Sequence, residues 1–182
     1  MSQVNDLYKD IQDLLYKLVP EKFRRLYLYA SIINGKNGEM FFYYFPRTLL
    51  KSNAVNCYDV PDKFGIDENS YNENLNSLFN LIRRLYVIQK GAWTNITIKF
   101  EGRIFTVEYH FNDLVNSNYS DSERRIIWCS KYLNIPEEKF SKAERKLIEN
   151  YVEESTRKPI VYTEELEHSS IFEDVEEDDD EE

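Results

Sequence analysis

Two histidines, two cysteines and 33 carboxylates are the side chains best suited to chemistry in this 182-residue chain, and their spacing assembles no catalytic set. His110 and His168 are too far apart in sequence to propose a zinc site of ordinary spacing or a histidine-based dyad. Cys57 and Cys129 have no histidine close by in sequence, and Cys129 reads as a small apolar core residue. Five glycines, none in a phosphate-cradling pattern, argue against a nucleotide-binding loop. Paired carboxylates lose meaning as an acid–base signal in a chain so rich in them. The expectation is therefore a protein that is not an enzyme and has no cofactor or metal.

The acids say more through their position. Asp59, Asp62, Asp67, Glu68 and Glu73 face Lys63 alone between Tyr58 and Glu73. Acids at a helix start offset its partial positive charge, which accounts for Asp67 and Glu68 but does not require Asp59 and Asp62. A second group, Asp113, Asp121 and Glu123, accompanies Asn112, Asn116, Asn118 and Tyr119 in a loop long enough to recognise a partner. Trp128 follows, and helical counting turns it away from Ile126 and Cys129, as a second-layer core residue or an interface anchor. Protein recognition is the chemistry these residues suit. The pairs Arg24-Arg25, Arg83-Arg84 and Arg124-Arg125 are isolated and make no basic stripe, so direct binding to nucleic acid is not expected.

The net charge of −10 divides unevenly. Residues 1–154 hold 21 acidic and 21 basic side chains, whereas residues 155–182 hold 12 acidic and 2 basic. A neutral body with an acidic tail excludes imitation of DNA by bulk charge, and leaves only local faces or the tail to meet a basic partner. Two cysteines without a signal-peptide pattern suggest reduced thiols and a cytoplasmic home. No apolar run approaches the roughly 20 residues of a membrane span.

The elements that must position these groups follow from periodicity. Leu7, Ile11, Leu14, Leu15 and Leu18 mark an amphipathic helix ended by Pro20. Leu26–Ile33 and Met40–Phe45 read as strands joined through Asn34-Gly35 and Asn37-Gly38. Five aromatics in Met40–Phe45 exceed what one inward face absorbs, so the second aromatic face needs a helical cover or lies exposed. Val55–Val60 suggests a short third strand. Asp67 should cap a long helix with Tyr71, Leu75, Leu78, Phe79, Ile82, Leu85 and Tyr86 on one stripe. Trp93–Phe100 and Ile104–Phe111 alternate as a second hairpin that buries Phe105, Val107, Tyr109 and Phe111, which puts His110 on the surface. Ser120 and Glu123 stand at capping-box spacing before Ile126, Cys129, Tyr132 and Leu133, and Pro136 ends that helix. Ser141 caps a last, mostly polar helix. The expected fold is α+β: an antiparallel sheet from two hairpins, of four or five strands, flanked by about four helices. Residues 1–154 form the domain, and 155–182 form a tail whose charge predicts disorder.

Glu123-Arg124-Arg125-Ile126-Ile127-Trp128, Lys131-Tyr132-Leu133 and Ile135-Pro136-Glu137 resemble the signature of the YezG-like antitoxin (immunity protein) family of Gram-positive bacteria. Trp93-Thr94, Tyr109-His110-Phe111-Asn112-Asp113-Leu114, Leu26-Tyr27-Leu28-Tyr29-Ala30 and Phe41-Phe42-Tyr43-Tyr44 fall where that family has similar runs. The likeness spans roughly residues 5 to 153. It departs at Cys129, where an aromatic or polar residue is usual, and at Asn134, where glycine is usual. The resemblance implies an antitoxin that binds and inactivates a cognate protein toxin, in known cases a nuclease exported by a type VII (LXG or EssD-like) route. It leaves the oligomeric state open. A secretion adaptor that holds a partner for export without inhibiting it is the alternative from another class.

Overall fold

The computed structural model describes residues 3–35, 37–48 and 53–155, together with the backbone of 161–167. Chain order is α1 (Gln3–Leu18), β1 (Phe23–Ser31), β2 (Met40–Pro46), β3 (Val55–Asn56), α2 (Val60–Phe64), α3 (Glu68–Ile88), β4 (Asn95–Glu101), β5 (Ile104–His110), α4 (Asp121–Tyr132), α5 (Lys142–Ser155) and β6 (Val161–Glu167). The strands form one antiparallel sheet in the order β3-β2-β1-β4-β5-β6. This is the expected α+β architecture, with six strands in place of four or five.

Register explains how both faces are used. Leu28 pairs with Phe42 on one side and Ile98 on the other, and Ile98 with Val107. Alternation puts these on one face with Leu26, Tyr44, Phe100, Phe105 and Tyr109, all buried. α1 and α3 cover that face side by side: Tyr8 of α1 meets Phe105 edge-on at 5.9 Å, and Gln89, just after α3, donates to the Tyr109 hydroxyl at 2.9 Å. The other face carries Tyr27, Tyr29, Phe41, Tyr43 and Phe45 at its β1–β2 side and Thr97, Lys99, Thr106, Glu108 and His110 at its β4–β5 side. α4 lies over it, so the second aromatic face of β2 has its cover. α5 packs on α4 and has no buried residue among those described, in keeping with its polar sequence.

Local signals behave as their chemistry dictates. The Asp67 carboxylate accepts from the Ser70 N–H at 2.8 Å and starts α3. Ser120 and Glu123 close a reciprocal capping box at α4, and Ser141 and Glu144 close another at α5. Asn134 stands at φ 49, the left-handed backbone that glycine otherwise supplies after a helix. In the first hairpin Asn34 and Gly35 take positive φ. Gly38 has a different reason to be glycine: a Cβ there would sit 1.9 Å from the Ser31 carbonyl oxygen.

Four expectations are corrected. The third strand is Val55–Asn56 only; Cys57–Asp59 turns as 3-10 helix and Val60 opens α2, because Pro61 suits a first helical turn and cannot donate within a ladder. Phe111 lies beyond the end of β5 and is 36% exposed. His110 points to the face opposite Tyr109, but that face is covered too, so it is sheltered and not a surface residue. Disorder from residue 155 onward fails for Val161–Glu167, which pairs with β5 from His110↔Val161 to Ile104↔Glu167. The backbone groups along β5 offer a ladder whatever the side-chain charge of the added strand. His168 and the rest of the acidic tail lie outside the described residues.

Candidate functional site

Of the two acidic groups, the first stays on the surface. Asp59, Asp62, Asp67, Glu68 and Glu73 are all exposed, along the 3-10 turn, α2 and the first turns of α3. Only Asp67 has a structural task, and the Ser70 N–H that it caps holds its carboxyl below the ordinary value. Asp59 precedes α2 without a side-chain capping bond, so helix capping does not account for it.

The second group builds a loop. Asp113 accepts from the N–H groups of Val115 and Asn116, both at 3.0 Å, and from the Asn116 side-chain amide at 2.7 Å, and these bonds from Asn116 and Val115 lower its pKa. Glu123 is engaged by Ser120, which lowers its pKa likewise. Asp121 pairs with Arg124, whose guanidinium also donates to the Tyr119 carbonyl. Tyr119 donates to Glu154 at 2.9 Å and meets Tyr151 edge-on at 5.7 Å, joining the loop to α5. These acids shape the 111–120 loop and the start of α4.

Trp128 is only 5% exposed, in keeping with the core one of its two readings. Its ring lies 5.2 Å from Phe41, 5.1 Å from Tyr132 and 6.3 Å from Tyr43, and its Nε1 donates to Thr97 Oγ1 at 2.9 Å. α4 therefore faces the sheet with Arg125, Trp128, Cys129 and Tyr132, the i, i+3, i+4, i+7 set. Ile126 is only partly buried. Arg125 supports the set from the side, 4.5 Å above Phe41 and donating to the Tyr43 hydroxyl at 3.1 Å.

Where the aromatic side of this face gives way to the polar one, Glu108 accepts from Lys99 at 2.7 Å and from the Tyr132 hydroxyl at 2.5 Å. Burial opposes its ionisation, yet these two donors outweigh burial and hold the carboxyl below its usual value. Next to it, burial pushes His110 down to about 4; nearby Lys131 acts in the same sense and Glu108 against it. The imidazole is neutral near pH 7. Its Nε2 is sealed from solvent, has no hydrogen-bond partner and lies 3.9 Å from Glu108.

His110 borders a cleft of about 1330 Å³. The 111–120 loop, α4 and α5 wall it, and Trp128 and Tyr132 are among its lining residues. Sequence reasoning found Asp113, Tyr119 and Trp128 but not the cleft, because α5 and the end of β5 complete it from distant positions. No group of three or more His, Cys, Asp or Glu side chains able to hold a metal ion occurs among the described residues. Nor, among them, is any helix long and apolar enough to cross a membrane.

The fold is a two-faced α+β domain with a cleft at one end of α4 and exposed acidic positions, and comparison with known sequences specifies its class. The family model described as "Immunity protein YezG-like" matches residues 4–149, and the chain belongs to that family, whose members neutralise a toxin. It is similar to Immunity protein YezG of Bacillus spizizenii, 26% identical over 156 residues that span 82% of this chain and 93% of that protein. Immunity protein YezG of Bacillus subtilis is 26% identical over 145 residues, 76% of this chain and 94% of that protein.

Proposed function

We propose that this protein is the antitoxin of one cognate secreted toxin, that the toxin is a nuclease exported by a type VII route, and that inhibition takes place in the cytoplasm without catalysis. The observation that carries the reading is the family match over residues 4–149, with more than nine-tenths of each relative aligned. Surface charge supports a nuclease as the target. An enzyme that holds a polyanion presents cations, and Asp59, Asp62, Glu68 and Glu73 are exposed and fixed on folded elements. Charges so placed raise the rate of encounter more than the lifetime of the complex.

Co-expression tests the reading. A bacterial host producing the cognate toxin domain should lose its DNA or RNA and stop growing, and production of this protein should restore both. A toxin that degrades nucleic acid and kills equally with or without the protein refutes the antitoxin role. If the protein binds the toxin and accompanies it to export yet leaves its activity intact, the adaptor reading replaces this one.

A further inference from the structure

We propose that the cleft between the 111–120 loop, α4 and α5 receives a protruding loop of the toxin that carries lysine or arginine; this rests on the antitoxin reading above. At about 1330 Å³ the cleft exceeds the range of roughly 300–1,000 Å³ usual for small-molecule pockets. A peptide segment suits that space better.

Its chemistry is that of a surface made to meet protein. Asn112, Asn116, Ser117, Asn118 and Tyr119 line it from one loop. That mixture of Tyr, Asn and Ser serves antibody recognition loops for the same reasons: rigid aromatic area beside short, adaptable hydrogen-bonding groups. Phe111, Val115 and Val152 are 36%, 62% and 51% exposed, the first two on the loop and the third on α5. Of these, Val152 lines the cleft beside Leu114, Ile127 and Ile148, so its wall offers apolar contact as well as hydrogen bonds.

Charge selects the occupant. Five carboxylates line the cleft against three cations, and one of those cations, Arg124, is already paired with Asp121. Glu137 and Glu149 are exposed members of that lining. The chain's own residues 168–182, with nine acids and no lysine or arginine, have the wrong sign to fill it.

The test uses the full chain and its cognate toxin domain, with rates measured by surface-captured binding. Val152→Lys combined with Glu149→Arg, both on the cleft wall, should weaken binding by about thirtyfold or more, mainly through faster dissociation. Both positions are exposed, so the melting temperature should stay that of the parent. Asp59→Asn with Asp62→Asn and Glu68→Gln should slow association and change the dissociation rate by less than about threefold. A cleft variant that folds and binds within about threefold of the parent overturns the cleft proposal while leaving the antitoxin reading intact. A parent chain that neither binds nor neutralises the toxin overturns both.

Discussion

Replacing Trp128 with alanine tests whether the α4 layer is held as described. The indole is 5% exposed and lies within 6.3 Å, ring centre to ring centre, of Tyr29, Phe41, Tyr43 and Tyr132. Deletion of a buried aromatic of this size costs about 3–5 kcal/mol, and loss of the Nε1 bond to Thr97 adds about 1 kcal/mol. A total of about 4–6 kcal/mol is a large part of the roughly 5–15 kcal/mol that stabilises a domain. At about 2–4 °C per kcal/mol for a chain of this length, melting should fall by about 10–20 °C. Trp128→Phe keeps most ring contacts and loses the hydrogen bond, so its loss should be about 1–2 kcal/mol. Chemical denaturation followed by circular dichroism measures both. If the alanine variant unfolds at the parent's midpoint, the ring does not hold α4 to the sheet and this description of that face is wrong.

Other consequences can be checked separately. Gly38→Ala should destabilise by about 1–3 kcal/mol in the same assay, because the added methyl meets the Ser31 carbonyl and Phe79 and the hairpin must shift. The His110 pKa is depressed on folding, from 6.5 to about 4; its contribution is therefore complete above pH 6.5 and is lost as pH falls toward 4. That loss should reach at most about 3 kcal/mol and should be absent in His110→Gln; an NMR titration midpoint near the ordinary histidine value would contradict it. Truncation after Glu154 removes β6, whose ladder bonds, about 0.5–1.5 kcal/mol each, are offset by about 1–2 kcal/mol of ordering per residue. Global stability should change by less than about 1 kcal/mol, while the β5 amides facing β6 exchange at least about tenfold faster with solvent. Unchanged exchange on β5 would mean that the strand does not protect it.

What was legible in the sequence was local. Ser120 with Glu123 and Asp67 with Ser70 are short-range bonds, so spacing alone located the starts of α4 and α3. The aromatic excess of Met40–Phe45 predicted a cover but not its identity, because the pairing of Phe41 and Tyr43 with Trp128 spans more than eighty residues. Alternation placed His110 opposite Tyr109 correctly, yet the step from "opposite the core" to "surface" assumed a one-sided sheet. Composition marked Val161–Glu167 as disordered because Glu164, Glu165 and Glu167 obscure any apolar period, whereas strand addition draws on backbone groups common to all residues. The cleft was invisible because no single stretch contains it.

The central claim is neutralisation by direct binding, and a titration of purified toxin domain tests it most directly. Nuclease activity on a labelled nucleic acid, measured against increasing amounts of this protein, should fall to background once the protein matches the toxin in a fixed ratio, and should return when the Val152→Lys, Glu149→Arg variant is used at concentrations below its weakened Kd. Nuclease activity that persists with this protein in large excess would contradict the account.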